Sequence, residues 1–151
     1  FSQFLGPGLF DGYAEGSLSH LIKLSGTTKK IIGNVAADVA KGIASSILPQ
    51  RTFPVLISGA MDKNVASRLR AFECLKIISE RSYDEHQFHL NNSNSTTTTT
   101  INNNNVHQKI WESAIEKVLQ KGIGDANAEI RSVALNIFLI YKEKTPDSVS
   151  R

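Results

Sequence analysis

Two stretches decide the fold: Gly59-Ala-Met-Asp62-Lys-Asn64-Val-Ala-Ser-Arg68-Leu-Arg-Ala71 and Gly122-Ile-Gly-Asp125-Ala-Asn127-Ala-Glu-Ile-Arg131-Ser-Val-Ala134. Both read G-x-x-D-x-N-x-x-x-R-x-x-A. Each lies between two stretches whose apolar residues recur at helical spacing. A self-similar motif at such a distance is the signature of stacked supersecondary units. Arrays of this kind work through turns aligned along an edge or through extended faces.

Outward from the motif, apolar residues fall at i, i+3, i+4 and i+7. Ile32, Val35, Ala36, Val39 and Ile43 share one predicted face, and Val65, Leu69, Phe72, Leu75 and Ile78 another. Trp111, Ala114, Ile115, Val118 and Gly122 form a third. Ile130, Val133, Ala134, Ile137 and Tyr141 form a fourth. No stretch alternates long enough for a strand. Turns are predicted at 25–28, 62–64 and 125–127, where Asp and Asn can accept from the free amides of the following helix. Thr52, followed by Phe53 and Pro54, reads as a helix start, because proline is tolerated in a first turn. Thr145-Pro146 closes the last helix.

The chain therefore reads as all-α, a solenoid of about three helical hairpins at about 10–47, 50–81 and 107–144. Aligning Ala36 with Ala71 places Thr27 under Asp62 and Lys29 under Asn64, a degenerate first copy 35 residues before the second. The next step is 63 residues, and an insertion at 82–106 accounts for the excess. Without it the step approaches the period of roughly 40 found in HEAT-type repeats. The insertion is rich in Asn and Thr, has almost nothing to bury, and is expected to be disordered. Its Asn-x-Ser/Thr triplets are accidents of composition on this reading.

The bulk numbers set limits. The chain has 151 residues, 40% hydrophobic and 21% charged, enough for one globular domain. No run approaches the roughly 18 apolar residues of a membrane span. Phe1 in place of an initiator Met suggests an excerpt from a larger multidomain chain. The single cysteine, Cys74, permits no disulfide framework and reads as a core residue. A net charge of +3 and a pI of about 9.1 permit an acidic partner without demanding one.

Catalytic patterns are missing: no G-x-S-x-G, no phosphate-cradling loop, no H-E-x-x-H. Gly6-Pro-Gly8 is the densest glycine cluster and has no lysine anchor. His86 and His89, spaced i, i+3 near His107, border the insertion and lack a fixed frame for a metal. No enzyme activity, cofactor or metal is expected. Asp62, Arg68, Asp125 and Arg131 read as a structural ladder of charge-assisted hydrogen bonds between layers. Trp111 reads as core. Lys29, Lys30 and Lys63 stand out, because the helix dipole disfavours a cation in a first turn. Residues placed against local preference mark function, and stacking would bring Thr27, Thr28, Lys29, Lys30, Lys63 and Asn64 to one edge.

The run Leu21-Ile-Lys-Leu-Ser-Gly-Thr-Thr-Lys-Lys-Ile-Ile-Gly-Asn-Val-Ala-Ala37 resembles the middle of a TOG domain of the CLASP group, the CLIP-associating microtubule rescue factors. Asp62-Lys-Asn-Val-Ala-Ser-Arg68 and Lys121-Gly-Ile-Gly-Asp-Ala-Asn-Ala-Glu-Ile-Arg131 resemble its next two turns. The resemblance implies a HEAT-repeat array whose intra-repeat turns bind α/β-tubulin or microtubules, in the cytoplasm and on the spindle, with no nucleic-acid or membrane partner. By position it assigns tubulin contact to Thr27, Thr28, Lys29 and Lys30, to Lys63 and Asn64, and to Ala126 and Asn127. It also implies the C-terminal half of such a domain, since a full one has about six repeats and a contacting tryptophan in its first turn. The alternative is a generic HEAT scaffold that grips a different protein by a helical face.

Overall fold

The structure, a computed structural model, describes residues 11–47, 49–92 and 114–144. The described residues form helices only: α1 (Asp11–Ser25), α2 (Lys30–Ser46), α3 (Pro49–Ala60), α4 (Val65–Asn92), α5 (114–123) and α6 (Ala128–Lys144). Consecutive helices pair as hairpins, and the hairpins stack as in a HEAT-type solenoid. In one layer α1 packs on α3. In the other, α4 packs between α2 and α6 while also contacting α3 and α1.

The repeated motif now has a physical reading. Its Gly and its Ala are where the two helices of one hairpin touch. A Cβ on Gly59 would come 3.0 Å from the Ala71 Cβ, and one on Gly122 would come 2.8 Å from the Ala134 Cβ. Side chains any larger would push the helices apart. The second and third hairpins thus close alike.

The core runs unbroken through the layers. Leu18, Ile22, Leu56, Phe72, Leu75, Ile78, Ile115, Val118, Ile130 and Ile137 are buried, each worth about 1.5–3 kcal/mol by area removed from water. Cys74 is a free, fully buried thiol, pushed up to about 12 chiefly by burial. The layers are also tied at the edge opposite the turns. From α4, the Arg81 guanidinium donates to the carbonyls of Ser45 (2.8 Å) and Ile47 (2.6 Å), at and just past the end of α2. Terminal carbonyls have no partner within their own helix, so this clamp satisfies them across layers.

Several expectations are corrected. On α2 the packed side is the small one: Gly33, Ala36, Ala37, Ala40, Ile43 and Ala44 are buried, while Ile32, Val35 and Val39 are exposed and Ile31 is 81% exposed. Small residues let α1 and α4 approach closely, so the bulky Ile/Val stripe faces outward. Helix α3 starts at Pro49, not at Thr52, so Pro54 lies inside the helix and Thr52 is buried. Proline at the first position needs no donor, which suits Pro49 better.

Helix α4 runs on to Asn92 instead of ending near Arg81. Once a helix is nucleated, each added residue gains one hydrogen bond. No Gly or Pro between Val65 and Asn92 interrupts it. Residues 82–92, assigned above to the disordered insertion, are therefore helical, and 93–106 lie outside the described residues. So do Gly6-Pro-Gly8, His107, Trp111 and Thr145-Pro146.

Candidate partner-binding edge

The three hairpin turns lie side by side. In the first, Gly26 and Thr27 donate backbone N–H groups to Lys23 and Leu24 (3.1 Å each), closing the end of α1. Lys29 is extended, with φ −81° and ψ 95°, and opens α2 with no side-chain cap. Thr28, Lys29 and Lys30 are exposed and Thr27 is half-buried. Free amides and uncompensated cations thus meet at one helix terminus.

The second and third turns are built by the motif. Asp62 accepts the Asn64 N–H at 2.8 Å, and Asp125 accepts the Asn127 N–H at 2.9 Å. Each Asn then caps the next helix: Asn64 accepts from Ala66 (2.9 Å), and Asn127 from Glu129 (2.9 Å) and Ile130 (3.1 Å). Each Arg reaches back to brace its own turn. Arg68 Nη1 donates to the carbonyls of Asp62 (3.1 Å) and Lys63 (2.9 Å). Arg131 Nη1 donates to those of Asp125 (2.8 Å) and Ala126 (2.9 Å). With both carbonyls held inward, the residue between Asp and Asn, Lys63 or Ala126, stays exposed at the tip.

Three cross-layer bonds align the turns. Asn64 Nδ2 donates to the Gly26 carbonyl at 3.3 Å, joining the second turn to the first. This approach requires glycine, since a Cβ on Gly26 would fall 2.7 Å from Ser67 Oγ and 2.8 Å from Asn64 Nδ2. Lys121 Nζ donates to the Met61 carbonyl at 3.2 Å. The strongest tie is Arg68 to Asp125, a two-point bond from Nε to Oδ2 (2.8 Å) and from Nη2 to Oδ1 (3.1 Å). Their side chains are only 12% and 4% exposed.

Of the four residues assigned to a ladder, the structure joins Arg68 and Asp125 across layers and leaves Asp62 and Arg131 without cross-layer partners among the described residues. The reason is in the sequence. The register that places Ala36 under Ala71 places Gly33 where Arg68 would be, so no first-layer arginine faces Asp62. Lys121 and Gly26 contribute to the alignment without having been singled out by sequence. Gly26 was legible in principle as the glycine of a tight turn.

The Arg68 bond holds the Asp125 carboxyl below its ordinary value of 3.8; its own burial opposes the shift. The folded form therefore binds this proton less tightly than the unfolded chain does. The pair's contribution to stability is full above pH 3.8 and is lost as pH falls through the lowered folded value. Acid titration of the unfolding midpoint should show this loss, and Asp125→Asn should remove that component. An unchanged acid profile in the variant would contradict the assignment.

No group of three metal-ligating side chains occurs among the described residues, and no helix among them is long and apolar enough to cross a membrane. Fold and edge together define a helical-repeat scaffold with a rigid row of turns. The sequence profile of the family described as CLASP N terminal matches residues 1–151, and the chain belongs to that family. It is similar to Protein STU1 of Gibberella zeae, 30% identical over 141 residues, covering 90% of this chain and 10% of that protein. It is also similar to Protein STU1 of Mycosarcoma maydis, 28% identical over 128 residues, covering 84% of this chain and 9% of that protein. The chain thus spans about a tenth of the length of these relatives.

Proposed function

We propose that the chain is a non-enzymatic tubulin- or microtubule-binding module of a CLASP-like protein of the cytoplasmic microtubule cytoskeleton. It binds through its turn edge. The observation that carries this reading is the alignment of turns that expose Lys29, Lys30 and Lys63. Thr27, Thr28 and Ala126 complete the contact row, and Asn64 and Asn127 set its shape. An acidic partner such as α/β-tubulin is drawn in by long-range attraction and then seated on turns that need little reorganisation. On this reading the chain is the later half of a TOG domain, and the exposed Ile31, Ile32, Val35 and Val39 of α2 form a face suited to another helical layer.

The test is Lys29→Glu with Lys30→Glu and Lys63→Glu in the intact protein. Tubulin affinity should fall by roughly two orders of magnitude, because attraction becomes repulsion at three contacts. The fold should not suffer. Acidic residues at the start of α2 favour its dipole by about 0.3–1 kcal/mol each. The expected pair of results is lost tubulin co-elution with a melting temperature unchanged or slightly raised. Unchanged co-elution would sink the proposal. A specific observation favours a second reading: the α2 stripe could serve a generic HEAT scaffold as its grip on another protein. That reading leaves tubulin out, and the same experiment separates the two.

A further inference from the structure

We draw no further inference here: the strongest candidate, the shallow groove between α1 and α3 floored by Ile22, Val55 and Gly59 and rimmed by Lys23, Ser58 and Asp62, carries nothing, because nothing in the structure shows what covers it.

Discussion

Phe72→Ala should destabilise the fold by about 3–5 kcal/mol, the largest effect expected of any single substitution in the core. Phe72 is fully buried on α4. Its ring lies over Gly122 of α5, so closely that a Cβ on that glycine would fall 2.5 Å from the ring's Cζ. The ring thus crosses from the second hairpin to the third in a space left by the motif's glycine. Truncation opens a cavity that the neighbours cannot readily close, because α4 is also tied to the turn before α6 through Arg68 and Asp125. Gly122→Ala tests the same contact from the other side. The added methyl meets the rigid ring and, at 2.8 Å, the Ala134 Cβ, so α5 must shift. Overpacking of this kind costs about 1–3 kcal/mol. The double variant, Phe72→Ala with Gly122→Ala, should be less destabilised than the sum, since the methyl fills part of the cavity. Denaturant unfolding of the four proteins measures the coupling. Strict additivity would mean that ring and glycine do not share the contact described.

That contact shows what a sequence can and cannot reveal. The glycine was visible at the head of the motif, and apolar spacing placed it on a helix face. Nothing in the spacing said which ring it would receive, because the partner comes from the neighbouring layer. The same holds for Arg68 and Arg131. The motif makes them equivalent, and the local part of their role, bracing the turn, is equivalent in the structure. Their difference comes from position in the stack: one has a layer beyond it that carries Asp125, and the other has none among the described residues. A repeated sequence specifies a repeated local shape, while a bond across layers depends on what the neighbouring copy has kept. Gly33 in place of an arginine removes the corresponding bond at Asp62.

Helix α2 misled for a related reason. Its apolar residues are so dense that two adjacent faces both look like core, and periodicity alone favours the bulkier one. Packing favoured the Ala and Gly face, where α1 and α4 approach closely. The turn edge was easier to read, since Asp and Asn at helix starts have a local mechanism and Lys29 and Lys30 oppose a local preference. Residues whose reason is local were legible. Residues whose reason lies in another layer were legible only as a repeat.

Arg68→Met should cost about 3 kcal/mol, an effect set more by what remains than by what is lost. Methionine preserves most of the aliphatic stem. The Asp125 carboxylate, 4% exposed, is then left with only the Asn127 N–H and the distant Lys121 charge. A buried charge without its partner keeps its desolvation penalty and loses its compensation. The carbonyls of Asp62 and Lys63 also lose a donor, which loosens the second turn. Arg131→Met is the internal control. It loses the same two carbonyl bonds from the same motif position but strands no carboxylate among the described residues, so it should cost only about 1 kcal/mol. The difference between the two variants isolates the cross-layer pair. Adding Asp125→Asn to Arg68→Met should recover much of the loss, because an amide can be buried with far less penalty than an unpaired charge. The acid sensitivity contributed by Asp125 should flatten in Arg68→Met, since the bond that most lowers its carboxyl is gone. Equal costs at Arg68 and Arg131 would mean that the pair contributes nothing beyond turn bracing, and that the layers are held by the apolar core alone.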